Sequence, residues 1–375
     1  MTVLGCAALL AQTEWNAIAY PARRAHALAH DTARGTTVLF GGLGPGYLGD
    51  TLTWTGGRWV TITSATSPSV RFGHSMVFDA VRARIVLFGG GGPTGALADT
   101  WEWDGTTWLG RSPVSSPSAR SGHSMTFDSA RGRVVLFGGA TSTGSFLSDT
   151  WEWNGTTWTQ QSPAQAPPGR HRSALACDAV RARVVLFGGQ DATALFADTW
   201  EWNGIRWTVS TPPTGPSART GHALAYDAPT GGVLLFGGTD ASGFLSETWS
   251  WNGLAWTKRQ PPAAPGQRDG HALAHDPTRG RIVLHGGQPA FSPVLLGDTW
   301  EWDGVRWIPL SASPEARVRH AIAYDSVRER VVLFGGQGVL ALDDTFFHQG
   351  FAGDPGANAL GVTATNAAEG KVGAK

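Results

Sequence analysis

Arginine, aspartate and histidine recur at fixed places along this 375-residue chain, and they supply most of its groups for acid–base or metal chemistry. One place holds arginine seven times: Arg23, Arg71, Arg120, Arg170, Arg219, Arg268 and Arg317. Two places hold carboxylates: Asp50, Asp99, Asp149, Asp198, Glu247, Asp298 and Asp344, and Asp31, Asp79, Asp128, Asp178, Asp227, Asp276 and Asp325. Histidine fills a fourth place six times: His26, His74, His123, His222, His271 and His320. A catalytic site needs an asymmetric set of groups, so we expect these repeated residues to tie strands and loops together.

The elements that carry these residues repeat about every 49 residues. Seven Gly-Gly pairs mark the period, and they begin at Gly41, Gly89, Gly138, Gly188, Gly237, Gly286 and Gly335. In the third unit, His123–Phe127 and Arg133–Phe137 have the alternating or β-branched character of strands. Asn154-Gly155 is typical of a two-residue hairpin turn between Trp153 and Trp158. Each unit is therefore predicted to form four antiparallel strands, named a to d in chain order.

This unit resembles the kelch repeat in four features. They are the Gly-Gly after strand b, the paired aromatic residues of strand c, the lone Trp of strand d and the Pro-x-x-Arg before strand a. The resemblance covers about residues 21–350 and implies an all-β, seven-bladed β-propeller with one blade per unit, like the central domain of galactose oxidase. We expect the propeller to occupy 13–350. The apolar N-terminal run indicates a secretion-signal remnant over 1–12, and the absence of periodicity indicates a loose tail over 351–375.

Tryptophan indicates how the blades pack and how the ring closes. Of the 18 Trp residues, 17 fall in the repeat, and each would remove about 200 Å² from water if buried between blades. The last unit lacks a Trp for its strand d, whereas Trp15 stands near the N-terminus. We therefore expect the N-terminal segment to supply the missing strand d, with residues near Phe351 as the alternative.

A further set precedes the turn between strands a and b: His30, Phe78, Phe127, Cys177, Tyr226, His275 and Tyr324. Tyrosine, histidine and cysteine also build the copper site of galactose oxidase. Here they occupy equivalent positions in separate units and do not converge as metal ligands must. The sequence therefore predicts packing between blades, no metal, no cofactor and no catalytic residue.

The positions where units differ are the candidate binding residues. Most units place small residues after the repeated arginine, but three units place cations there: Arg24, His171, Arg172 and Arg319. A fourth unit has Asp269. Because the first and last blades are neighbours in a ring, we expect an arginine-lined mouth that accepts a carboxylate, a sulfate or an acidic peptide. The alternative is a set of solvated arginines with no ligand.

The loops between strands b and c also vary, and they contain Tyr47 and Phe291. These b–c loops share one rim of the propeller with the connections from strand d to the next strand a. Loops on a rigid scaffold usually carry recognition, so this rim is the predicted binding surface.

Composition limits the partners and the location. The formal net charge is zero, so no bulk attraction to nucleic acid or anionic membrane is expected, and no membrane span is predicted. Two cysteines, Cys6 and Cys177, cannot form a disulfide framework. Val3–Ala11 resembles the end of a signal-peptide core, which favours a secreted, periplasmic or surface protein. An apolar strand of a cytoplasmic protein is the alternative.

The sequence therefore predicts a monomeric, non-enzymatic module that binds a protein, peptide or glycan through its loop rim. A carbohydrate-active enzyme of the sugar oxidase or sialic-acid epimerase class is one alternative. A purely structural surface protein is the other.

Overall fold

The computed structural model of the chain is all-β. It describes residues 22–56, 58–290, 294–310, 315–338, 345–349 and 360–363, and for the last two ranges it describes the backbone strands alone. The strands pair into four-stranded antiparallel sheets, and short hairpins are added in two b–c loops.

The third blade shows why the unit folds as the sequence predicts. Its strands are β11 (Ser124–Asp128), β12 (Arg133–Phe137), β13 (Thr150–Trp153) and β14 (Trp158–Gln161), paired in that order. The apolar run of β12 is buried from its second residue onwards, as expected for a strand covered on both faces. Asn154 accepts backbone hydrogen bonds from Thr156 and Thr157 at 2.8 and 2.9 Å, which fixes the hairpin before β14.

Six blades contain the complete unit, each with a strand d that begins at Trp. The first contains β1 (Ala27–Asp31), β2 (Thr36–Leu43), β3 (Tyr47–Trp54) and β4 (Trp59–Ile62). The second contains β5 (Ser75–Asp79), β6 (Arg84–Phe88), β9 (Thr100–Trp103) and β10 (Trp108–Arg111), with a loop hairpin of β7 (Gly91–Gly92) and β8 (Gly95–Ala96). The fourth contains β15 (Ala174–Asp178), β16 (Arg183–Phe187), β17 (Thr199–Trp202) and β18 (Trp207–Ser210). The fifth contains β19 (Ala223–Asp227), β20 (Gly232–Phe236), β23 (Thr248–Trp251) and β24 (Trp256–Arg259), with a loop hairpin of β21 (Thr239–Asp240) and β22 (Gly243–Phe244). The sixth contains β25 (Ala272–Asp276), β26 (Arg281–His285), β27 (Thr299–Trp302) and β28 (Trp307–Pro309).

The last sheet departs from this plan. It contains β29 (Ala321–Asp325), β30 (Arg330–Phe334), β31 (Thr345–Gln349) and β32 (Leu360–Thr363). Its outermost strand therefore comes from the C-terminal side, where β31 and β32 pair from Thr345↔Thr363 to His348↔Leu360. The prediction of seven equivalent blades closed by an N-terminal strand d is wrong, because six blades are complete and the last sheet takes its fourth strand from outside the repeat. Strand β32 lies within the segment expected to be a loose tail, and Trp15 and Phe351 lie outside the described residues.

The sheets nevertheless form a closed ring, because β29 lies beside β1. Across this seam, Arg328 donates hydrogen bonds to the carbonyl oxygens of Gly35 at 2.9 Å and Thr55 at 2.8 Å. His30 contacts the hydroxyl of Ser326 at 3.1 Å. The first and last units are therefore neighbours, as the site prediction requires.

The core lies between the blades and combines tryptophan with the Val, Leu and Phe side chains of the b strands. Trp158 packs edge-on against Phe88 of the second blade, with ring centroids 5.5 Å apart, and donates its indole N–H to the hydroxyl of Thr100 at 2.8 Å. Trp153 donates to the carboxylate of Glu102 at 2.8 Å. These indoles are almost fully buried and satisfied by hydrogen bonds, which confirms that they join blade to blade.

Candidate functional site: the loop rim

The repeated arginines are fully buried ties within each blade. In the third blade, Arg120 donates to the carbonyl oxygen of Gly138 at 3.0 Å and to the two carboxylate oxygens of Asp149 at 2.6 and 2.7 Å. This bidentate pair holds the start of strand a against the loop that enters strand c. The guanidinium holds the pKa of Asp149 below its usual range despite partial burial. The expected structural role is confirmed.

The Gly-Gly pair has two physical causes. Gly138 and Gly139 have φ values of 69° and 98°, in the left-handed region that favours glycine. A Cβ atom at Gly138 would also lie 2.6 Å from the carbonyl oxygen of Arg170 in the next blade. The repeated glycines therefore let the chain turn at a place where the next blade leaves no room for a side chain.

The repeated histidines are buried between blades and held neutral. The imidazole of His123 packs edge-on against Phe88, with ring centroids 5.6 Å apart. Burial and the charge of Arg120 lower the pKa of His123 to about 3. The same causes act on the other histidines of this set. These rings pack as aromatic side chains and are not placed to exchange protons near neutral pH.

The residues before the turn from strand a to strand b also pack between blades. His30 contacts Thr37 and Ser326, each at 3.1 Å. The hydroxyl of Tyr324 donates to Thr278 at 2.7 Å, and Tyr226 and His275 meet edge-on with centroids 5.8 Å apart. Among the described residues, no group of three or more His, Cys, Asp or Glu side chains is arranged to hold a metal ion.

Where the inner strands begin, a ring of backbone hydrogen bonds joins the blades. It passes through the second residue after each repeated arginine, which we name the mouth position: Ala25, Gly73, Gly122, Arg172, Gly221, Gly270 and Arg319. The N–H of each donates to the carbonyl oxygen of its counterpart in the preceding blade at 2.9 to 3.3 Å, except at Gly221, for which no such bond is present in the described part of the chain. Every mouth position has a positive φ.

Arg172 and Arg319 are unusual at these positions, because four of the seven sequence units have glycine there. Their φ values are 53° and 57°, and that of Ala25 is 53°. A left-handed conformation costs a residue with a Cβ atom roughly 1 kcal/mol. Both arginines have exposed side chains. The chain therefore carries two guanidinium groups at the mouth at some cost in backbone strain.

Asp269 lies in the gap between these arginines. It is only 9% exposed, and its Oδ2 accepts a hydrogen bond from Thr239 at 3.3 Å and lies 3.8 Å from Nη2 of Arg172. Gly221 makes this approach possible, because a Cβ atom there would lie 3.0 Å from Asp269 Oδ2 and 3.3 Å from Arg172 Nη2. Burial raises the pKa of Asp269, and the charges of Arg172 and Arg319 and the Thr239 hydrogen bond only partly offset it.

Arg24 joins this group across the seam. Its neighbour Ala25 donates a backbone hydrogen bond to the carbonyl oxygen of Arg319 at 3.2 Å, so the two arginines belong to adjacent backbone segments. The backbone of Arg24 also pairs with Leu43 at 2.8 and 3.0 Å. Among the described residues, the side chains of Arg24 and Arg319 have no hydrogen bond or ion pair, whereas the repeated arginines are paired.

The other predicted site residues lie apart. His171 packs at a tilt against Phe146 of the b–c loop in the third blade, with ring centroids 4.9 Å apart. Tyr47 is 39% exposed and packs against Phe72 of the second blade, with centroids 5.7 Å apart. Phe291 lies outside the described residues. The structure thus groups Arg24, Arg172, Arg319 and Asp269 and leaves His171 and Tyr47 in separate contacts between blades.

The sequence places Thr239 and Phe244 in a variable b–c loop of the predicted rim, but neither residue was predicted as part of the site. With Asp240, Gln267 and Pro289 they line a cleft of about 500 Å³ between the b–c loops of the fifth and sixth blades. Aligning each b–c loop backwards from the carboxylate before strand c would have placed Phe244 level with Tyr47. Thr239 links this cleft to Asp269, so the cleft and the arginine mouth are neighbours.

Comparison with known proteins agrees with the repeat. Residues 111–252 match the KLHDC2/KLHL20/DRC7 Kelch-repeats domain. The matched segment begins at the end of β10 and ends just after β23, so it spans the third and fourth blades and most of the fifth. No curated protein matches the chain significantly, and the described residues include no helix long and apolar enough to cross a membrane. The matched segment and the four-stranded blades together identify the chain as a kelch-repeat β-propeller.

Proposed function

We propose that this propeller is a non-enzymatic binding module whose arginine mouth holds an acidic peptide segment of a partner protein. The observation that carries the proposal is the placement of Arg172 and Arg319 at left-handed mouth positions where most blades have glycine. Strain of this kind is retained where the surrounding structure makes use of it. Arg24 adds a third guanidinium across the seam.

The state of these side chains supports anion binding. Arg172 and Arg319 are exposed, and Arg172 has only a long ion pair of 3.8 Å, compared with 2.6 Å for the tie between Arg120 and Asp149. A guanidinium presents a planar fork of N–H donors that fits a carboxylate. Binding an acidic side chain would therefore supply partners that the folded chain does not provide.

Two further features support binding over catalysis. The repeated histidines, which are natural general bases, are buried and neutral between blades. The buried Arg–Asp pairs and Trp contacts make the rim a rigid platform, which reduces the ordering cost of binding. Kelch propellers generally act as protein-binding scaffolds, and this chain has their fold.

The proposal is tested by fluorescence anisotropy with labelled nonapeptides whose side chains are acidic, uncharged or basic. We expect the acidic peptides to bind best. The combined variant Arg24→Ala, Arg172→Gly and Arg319→Gly is expected to weaken that binding about 10- to 50-fold, because each exposed ion pair contributes up to ~1 kcal/mol. Ala25→Gly is the matched control, because it changes a mouth position with the same φ but no charge. Equal binding of the three peptide classes, or of the acidic peptide by wild type and combined variant, would refute the proposal.

A further inference from the structure

Asp269 is not explained by the scaffold. The equivalent residues of the other units are Arg24, Phe72, Ser121, His171, Thr220 and Val318. None of these is acidic, so the fold does not require a carboxylate at this place. The residue is nevertheless only 9% exposed, and it lies close enough to Arg172 and Arg319 for both charges to act on it.

The carboxylate of Asp269 is also poorly satisfied by the protein. Its Oδ2 has one long hydrogen bond of 3.3 Å and one ion pair of 3.8 Å. Its Oδ1 has no hydrogen bond within the described residues, yet it is not among the atoms sealed from solvent. A desolvated carboxylate normally gathers several donors, and a missing donor costs free energy. Asp269 therefore has an accessible oxygen that lacks a donor.

Asp269 is a poor counter-ion for Arg172 by the standard of this chain. The structural ties place guanidinium nitrogens 2.5 to 2.7 Å from their carboxylates. At 3.8 Å, Arg172 does not make a comparable hydrogen bond with Asp269. Thr220, which precedes Gly221, is 7% exposed, and its hydroxyl has no hydrogen-bond partner among the described residues. This side of the mouth therefore has hydrogen-bond acceptors, the Asp269 carboxylate and the Thr220 hydroxyl, that lack protein donors.

We propose that Asp269 binds a cationic or N–H donor group of the ligand, next to the acidic group held by Arg24 and Arg319, so that the mouth selects a peptide of mixed charge. The inference rests on the proposed function and narrows its ligand class. A lysine or arginine beside the acidic residue would supply the donor that Asp269 lacks. A purely acidic peptide would instead place a second negative charge near a buried carboxylate.

The test compares two kinds of labelled peptide. The acidic peptide has two glutamates, and the mixed peptides have one glutamate and one lysine, separated by one, two or three positions. Wild-type protein is expected to prefer a mixed peptide by about 10-fold, near the ~1.4 kcal/mol that a charge-assisted hydrogen bond supplies. Asp269→Asn is expected to remove that preference by weakening the mixed peptide and leaving the acidic one as tight or tighter. Asp104→Asn, in a c–d turn on the opposite rim, is the matched control, because three other units have asparagine at this place, and it is expected to change neither.

Two outcomes separate this inference from the proposed function. If Asp269→Asn binds the mixed peptide as well as or better than wild type, Asp269 is only a counter-ion and the inference is overturned. If the arginine variants bind both peptides like wild type, the proposed function itself fails. Asp269→Thr, which copies Thr220, provides a second variant with a side chain that the scaffold already accepts; its melting temperature shows whether the blade is intact.

Discussion

The buried histidines are expected to make the stability of this propeller steeply dependent on pH. His26, His123, His222, His271 and His285 each have a pKa lowered from 6.5 to about 3, first because of burial and then because of nearby arginines. The pKa values of His74 and His320 are lowered by the same causes. In the unfolded chain these imidazoles take up protons below about pH 6.5, whereas in the folded protein they stay neutral. Unfolding is therefore favoured as the pH falls.

The magnitude follows from the difference in proton binding. Each imidazole with a folded pKa near 3 costs about 2 kcal/mol of folding free energy between about pH 7.5 and pH 5. Five such groups together cost about 10 kcal/mol, which is comparable to the whole stability of a typical domain. Glu152 and Asp269, whose pKa values are raised by burial, act in the opposite direction but are fewer. The protein is expected to unfold near pH 5, above the range in which its paired carboxylates titrate.

His123→Ser isolates one of these groups, because the fourth blade already has Ser173 at this place. The variant is expected to be less stable than wild type at about pH 7.5, since it leaves a gap beside Phe88. Its disadvantage should shrink by about 2 kcal/mol towards pH 5, because one proton-binding difference has been removed. Urea unfolding followed by tryptophan fluorescence at several pH values gives both free energies.

Phe137→Leu is the control for the loss of packing alone. Phe137 is fully buried, and the next blade carries Ser173 in place of a histidine. Its destabilisation should stay constant over the same pH range. Parallel curves of unfolding free energy against pH for wild type and His123→Ser would refute the reasoning, because they would show that His123 is not held neutral by the fold.

Three further predictions concern strain, packing and closure. Arg172→Gly and Arg319→Gly should leave the free energy of unfolding unchanged or raise it by up to about 1 kcal/mol, measured by urea unfolding; a clear loss of stability would show that these arginines serve the scaffold. Trp158→Phe should cost about 2–3 kcal/mol, because it removes buried area and the hydrogen bond to Thr100, and Thr100→Val should cost less; equal stability of Trp158→Phe and wild type would contradict the packing argument. Truncation after Gln349 removes β32 and exposes the edge of β31, so it should lower the melting temperature more than deletion of residues 1–18; the reverse order would contradict closure from the C-terminal side.

The blade could be predicted from sequence because its determinants are local and repeated. The side chain of Asn154 fixes a hairpin by accepting hydrogen bonds from the backbone next to it. The apolar strand Arg133–Phe137 is typical of a strand covered on both faces. Because the unit repeats, the equivalents of Arg120 and Asp149 can be paired in each blade from the unit alone, whatever the rest of the ring does. Closure could not be predicted in the same way. The last unit lacks the Trp that marks strand d, so the choice between segments near Trp15 and those near Leu360 depended on long-range pairing.

The mouth was predictable only in part, because the exceptions to the repeat identify residues but not their geometry. The substitutions at Arg172, Arg319 and Asp269 were visible in the sequence. What the sequence could not show is that Arg172 approaches Asp269, a residue two blades away, across Gly221. That approach depends on the absence of a side chain at the glycine between them.

The ring of left-handed mouth positions therefore has two uses. Where glycine occupies it, the ring leaves space, and where arginine occupies it, the ring directs a charge into that space. A ligand site formed in this way requires both residue types at neighbouring mouth positions, so filling the gap with Gly221→Ala should weaken acidic-peptide binding as much as removing Arg172 does. If Gly221→Ala folds normally and binds like wild type, the gap is not part of the site.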